Sequence, residues 1–264
     1  MTHPRPAETI GAQALSPLFV RKSGHGPPVV LVHGGLPARR SWTRQQELEA
    51  RWSLLIPSRR GFAPSPAAPR QDFLVDADDL VQCIENIDGG AHLVGFSYGG
   101  LGMCIAAGRR PSRVRSLTLI EVPLWTAARS DDSVRRLAAV ADRFTAGESD
   151  AATEREFFAM AGIDRRILEA ENDDLAQALE LAHNLRSPWE ASPRFDRIVE
   201  AAIPALIVSG NHTPAIEVLC DAVAARMGGQ RVRLSGAGHA VQRVPGFNAV
   251  LEEFLTAAER SPHT

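Results

Sequence analysis

The sequence predicts an α/β fold: a mostly parallel central sheet flanked by helices, with an all-helical insertion. Three observations predict it. Short continuous apolar runs, such as Val29-Val30-Leu31-Val32 and Leu206-Ile207-Val208, suit strands buried on both faces. Helix-spaced stretches alternate with these runs, which implies parallel strands joined by covering helices. From Pro123 to Ile203 the alternation stops, and the chain is rich in Ala, Arg, Asp and Glu with no convincing strand.

Strands are expected at Ala14–Val20, Pro28–Val32, Trp52–Ile56, Ala91–Val94, Ser116–Ile120, Ala205–Ser209 and Arg231–Leu234. A helix is expected over Asp72–Ile87, where Phe73, Leu74, Ala77, Leu80, Val81 and Ile84 recur near helical spacing. Its Asp72 is a cap candidate. Ala215–Met227 and Pro245–Ala258 read likewise, and a proline suits the first position of a helix. Within the insertion, helices are expected at Asp131–Phe144, Ala151–Ala161 and Asp173–Leu185. The predicted organisation is core 1–122, helical cap 123–203 and core 204–264, with the cap over the carboxyl ends of the strands, where open α/β sheets bind ligands.

Composition narrows the function classes. The 264 residues carry 44% hydrophobic and 23% charged residues with a net charge of −2. That balance suits a soluble globule with a sizeable core and gives no electrostatic footprint for nucleic acid or an anionic membrane. Cys83, Cys104 and Cys220 show no short-spaced pairing, so they read as small core residues. The polar start Met1–Thr9 has no apolar leader run, and no apolar stretch reaches spanning length. A soluble cytoplasmic protein is expected, and a homodimer is left open.

The most informative segment is Gly95-Phe96-Ser97-Tyr98-Gly99, between the strand-like Ala91–Val94 and the small, apolar Gly100–Ala107. A strand that turns sharply into a helix can hold one serine strained and exposed, with glycines where side chains would collide. The helix N-terminus then faces that serine and favours a developing oxyanion. A serine hydroxyl also needs a base. His239, in Ser235-Gly236-Ala237-Gly238-His239-Ala240 after the last strand, is the candidate. In His33-Gly34-Gly35-Leu36, a backbone N–H of Gly35 or Leu36 is expected to join that of Tyr98 in an oxyanion hole. His33 is expected to pin this loop, and Arg59 and Arg60 to shape theirs by hydrogen bonds.

With His33-Gly34-Gly35, Ser58-Arg59-Arg60-Gly61-Phe62, Gly95–Gly99 and Gly238-His239 in this order, the chain resembles the α/β-hydrolase superfamily along essentially its whole length. The resemblance implies a nucleophile–base–acid triad and no cofactor, but not a substrate. The chain departs from the family pattern at the acid. The loop Gly210-Asn211-His212-Thr213-Pro214 places Thr213 where an Asp is usual. Some members carry the acid one strand earlier, which points here to Glu121 in Glu121-Val122-Pro123, with Glu217 as the rival. The chain is similar to zearalenone-type lactonases in this Glu-x-Pro turn, in the Thr-Pro step and in a cap tryptophan beside a proline, here Pro188-Trp189.

The reading is therefore a serine hydrolase of carboxylic esters or lactones, with Ser97, His239 and Glu121 as triad. Trp125 and Trp189 would contact a small hydrophobic substrate, while Phe157, Phe158 and Met160 read as core. No metal set is expected, because His33, His212 and His239 lie on three separated loops. C–C hydrolysis or perhydrolysis on the same triad is the rival chemistry. A non-catalytic small-ligand receptor is the rival of another class.

Overall fold

The computed structural model describes residues 16–146, 150–163, 172–236 and 238–260. Its seven strands form one sheet in the order β1-β3-β2-β4-β5-β6-β7. They are β1 (Val20–Ser23), β2 (Pro28–Val32), β3 (Ser53–Pro57), β4 (Ala91–Phe96), β5 (Val114–Ile120), β6 (Ala205–Ser209) and β7 (Gln230–Arg233). Only β1 runs antiparallel, against β3. The pairs β2–β3, β2–β4, β4–β5, β5–β6 and β6–β7 are parallel.

Six expected strands agree with these to within a few residues. The first is displaced: β1 starts at Val20, and residues 14–15 lie outside the described ones. As an edge strand carrying exposed Arg21 and Lys22, it lacks the apolar run that reveals a buried strand.

Among the described residues the helices are α1 (Ala38–Ser41), α2 (Phe73–Glu85), α3 (Ser97–Arg109), α4 (Asp132–Thr145), α5 (Ala151–Met160), α6 (Asn172–Ala182), α7 (Phe195–Glu200), α8 (Pro214–Met227) and α9 (Phe247–Arg260). Asp72 caps α2 by accepting from the Leu74 N–H at 3.0 Å. Helix α9 starts two residues later than expected, because Gly246 follows Pro245 at φ 97°, outside helical space.

Alternate strand residues feed two cores. Val30, Leu93, Leu117, Leu119 and Ile207 pack with α2, α3 and α8. Val29, Leu31, Val94, Ile120, Leu206 and Val208 pack with Trp42, Trp52 and α9. Helices α4–α7 lie between β5 and β6, with no strand among the described residues of that segment. The Arg39 and Arg40 side chains bind Asp174 of α6, and Arg186 binds Asp72 at 2.7 Å. The insertion is thereby tied to the core near the ends of β2 and β4. There the strand order reverses, which leaves a crevice at the carboxyl ends. Among the described residues no helix is long and apolar enough to cross a membrane.

Candidate active site

Ser97 stands first in α3, directly after β4, with φ 51°. A positive φ on a non-glycine residue is uncommon and costs about 1–3 kcal/mol. Packing enforces it. A Cβ on Gly95 would lie 2.7 Å from the Gly100 Cα, and one on Gly99 would lie 2.0 Å from the His33 carbonyl. The turn therefore closes against both its own helix and the loop after β2. Tyr98 sits in the first turn of α3, where backbone N–H groups lack intrahelical acceptors.

The loop after β2 is held from beneath. His33 is fully buried, and its Nε2 accepts from the Arg59 N–H at 2.9 Å. Its Nδ1–H therefore donates to the Gly34 carbonyl at 3.1 Å. Burial, with the nearby Arg59 charge, pushes His33 down to about 3, so the ring stays neutral. Arg59, 2% exposed, donates from Nε and Nη2 to Asp76 Oδ2 at 3.0 and 2.8 Å. Its Nη1 reaches the Gly34 carbonyl and Gln71 Oε1, both at 2.9 Å. Arg60 binds Asp79. Both arginines are thus spent on structure.

Burial pushes the Asp76 carboxyl up, with Arg59 pulling the other way. Arg59→Met should therefore destabilise the fold by about 3–5 kcal/mol at pH 7, as an uncompensated buried carboxylate does. The loss should shrink in acid, where Asp76 can protonate. Urea midpoints at pH 5 and pH 7 with unchanged m check this.

The register that pairs Phe96 with Ile120 makes Ser97 and Glu121 the next residues out of adjacent strands. Glu121 also has a positive φ, 45°. The loop after β7 brings His239 between them. Its Nε2 lies 2.9 Å from Ser97 Oγ, and its Nδ1 lies 2.6 Å from Glu121 Oε2. The Glu121 side chain has no exposed surface. Its Oε1 accepts from the Gly210 N–H at 2.6 Å, and both its oxygens lie 2.9 Å from His212 Nε2. Burial works to raise the carboxyl, but hydrogen bonds from His212 and His239 and their charge overcome it and hold it low. Glu217 lies elsewhere: it binds Arg231, Arg233, Ser209 Oγ and the Asn211 N–H.

Gly35, Leu36, Ser97, Tyr98, Glu121, Trp125 and His239 line one cavity of about 240 Å³. The insertion builds its far wall from Phe144, Phe157, Phe158, Leu175 and Leu179. Phe144 and Phe157 stack at 4.4 Å. Two expectations change here. Phe157 and Phe158 face the cavity as well as packing together, because α4 and α5 turn their shared apolar face toward the core. Trp189 does not line it: its indole bonds to Asp142, which does, and the residue lines a separate groove beside Thr126 and Arg226.

The sequence profile of the alpha/beta hydrolase fold family matches residues 27–244. The chain belongs to this family. Over 104 residues it is 36% identical to the pimeloyl-[acyl-carrier protein] methyl ester esterase of Chromobacterium violaceum, a match spanning 39% of this chain and 40% of that one. A mutant of the N-acyl homoserine lactonase AidH, complexed with N-hexanoyl homoserine, superposes with a TM-score of 0.68 at 18% identity, covering 93% of this chain and 94% of that one. A mutant epoxide hydrolase from Bacillus megaterium superposes at 0.69 and 18% identity, covering 90% and 96%. At such identities these superpositions speak to fold alone.

Within this α/β-hydrolase frame, His212 is the residue that sequence reasoning missed. The sequence marks it only as one of three histidines far apart along the chain, yet Glu121, His212 and His239 place side-chain atoms of metal-binding types within 4.8 Å of one another. That corrects the expectation of separated loops. The contacts at 2.6 and 2.9 Å are hydrogen bonds. A tetrahedral zinc site, with bonds of about 2.0–2.1 Å, would hold its donors about 3.4 Å apart. An ion would have to spread the group and displace the His239 Nδ1 proton.

Proposed function

We propose that this α/β-hydrolase is a cofactor-independent serine hydrolase that cleaves a carboxylic ester or lactone with an apolar acyl part. The observation that carries this is the hydrogen-bonded line Ser97–His239–Glu121 opening into a cavity walled by phenylalanines and leucines. Ser97 Oγ attacks the carbonyl while His239 Nε2 takes its proton. Glu121 holds the Nδ1–H tautomer and offsets the imidazolium charge. The oxyanion meets the Tyr98 N–H and that of Gly35 or Leu36. His239 then protonates the leaving alkoxide, and a water that it activates releases the acyl group from Ser97. In a lactone the leaving oxygen stays tethered to that acyl group. The helices between β5 and β6 act as the cap that supplies the acyl wall. A lactonase and a methyl ester esterase among the similar proteins agree with this reading, and Ser97 speaks against epoxide opening, which this fold performs with an Asp nucleophile.

A serine-directed fluorophosphonate should label Ser97. In a series of aryl esters of lengthening acyl chain, kcat/KM should rise about fourfold per methylene, at about 0.8 kcal/mol per buried CH₂, until the cavity is filled. A flat series would remove the acyl wall from the reading. Faster turnover of a vinylogous diketone than of any ester would replace it with C–C hydrolysis. An unlabelled folded protein that binds a small ligand tightly would replace it with a receptor.

A further inference from the structure

His212 and Thr213 occupy the loop after β6, where the usual family pattern puts the acid; the His212 side chain engages the acid that has moved, and the Thr213 side chain engages His212. For its Nε2 to lie 2.9 Å from both Glu121 oxygens, His212 must carry a proton there, since a carboxylate only accepts. The Thr213 hydroxyl bonds to the other ring nitrogen, Nδ1. With a neutral ring, the hydroxyl donates to Nδ1 and thereby fixes the proton on Nε2. Thr213 opens α8 yet makes no side-chain cap bond to it; its hydroxyl serves the histidine. The His212 ring is also wedged in place: a Cβ on Gly162, at φ 67° between α5 and the rest of the insertion, would lie 2.0 Å from His212 Nδ1. The Gly162 carbonyl in turn accepts from the His239 N–H at 2.9 Å.

Resting on the serine-hydrolase reading above, we propose that His212 is a positioning residue that sets the basicity of His239 through Glu121, with Thr213 selecting its tautomer. A carboxylate that already accepts from Gly210 N–H and His212 has less negative charge to offer the His239 Nδ1–H. Glu121 therefore draws the His239 Nδ1–H less strongly than it would without His212. Among the described residues, the titratable groups that bond this carboxylate are His239 after β7 and His212 after β6, while Cys220 of α8 lies within reach of its charge. Burial pushes the Cys220 thiol up, out of play near neutrality, and Glu217 is held by Arg231 and Arg233.

The test is the titration of the His239 ring by imidazole NMR, which needs no substrate, alongside the pH profile of kcat/KM on an aryl ester. In His212→Ala, the His239 midpoint and the acid limb of kcat/KM should both move up by about one pH unit. In His212→Gln the amide still donates to Glu121 without titrating, and both should return most of the way. Thr213→Val should keep the fold and lower kcat/KM about fivefold, the worth of one neutral hydrogen bond. An unmoved His239 midpoint in His212→Ala would overturn the proposal, as would a wild-type His212 whose neutral ring carries its proton on Nδ1. Ser97→Ala in the same assay reports on the nucleophile alone, so failure of the serine reading is seen separately.

Discussion

Ser97→Ala is expected to lower kcat on the best ester by about 10⁶-fold while leaving the protein folded, because a nucleophile whose removal ends the covalent route leaves only binding and oxyanion stabilisation. Ser97 lies beside His239 at hydrogen-bonding distance and lines the cavity. Among the described residues, Ser97 Oγ is the hydroxyl that bonds to His239 Nε2. The substitution keeps the Cβ and so keeps the backbone strain of φ 51°. Thermal midpoints of the two proteins should therefore agree closely. Single-turnover kinetics on an activated ester, with the melting curve beside it, separate loss of chemistry from loss of fold. Residual activity within about tenfold of the parent, a difference of only about 1.4 kcal/mol, would show that another group attacks the carbonyl.

Much of this site's geometry was legible because it depends on local backbone shape. The elbow needs glycines around Ser97, and the histidine loop needs small residues, so both wrote recognisable patterns into short segments. Glu121 was legible only by subtraction, from Thr213 at the usual acid position and from the Glu-x-Pro turn at the end of β5. His212 left no local mark. Its partner lies 91 positions earlier in the chain, and only the parallel register of β5 against β6 brings their following loops together. The same limit explains Trp189 and the phenylalanines. Helical spacing shows that Phe157 and Phe158 share a face with neighbours, but the tilt of α4 and α5 decides whether that face meets core or cavity. The edge strand β1 is hidden from the sequence for a third reason: solvent on one side permits Arg21 and Lys22, and the apolar signal disappears.

Glu121→Gln is expected to lower kcat by about 10⁴-fold, as in the loss of a triad acid whose geometry survives. The new amide can still accept through its oxygen from the Gly210 N–H and from His212, which keeps the side chain seated. Its nitrogen must then face His239 Nδ1 and donate to it. That forces the His239 proton onto Nε2, where it points at Ser97 Oγ and cannot receive the serine proton. Glu217→Gln removes charge from the Arg231 and Arg233 pairs, which are partly exposed, so about 1 kcal/mol of stability or less is at stake and kcat should hold. A kcat loss confined to Glu217→Gln would move the acid back to α8. Stability against pH gives an independent check. The Glu121 carboxyl is held below its ordinary range in the folded chain, so its ionised form adds stability above the unfolded value of about 4.3, and that contribution is lost as pH falls through the folded value. Glu121→Gln should flatten this part of the acid limb of the melting temperature. On the proposed reading the acid thus has two signatures with one cause: the buried Glu121 carboxylate, one strand from Ser97, is stable as an anion only while donors on the loops after β6 and β7 surround it.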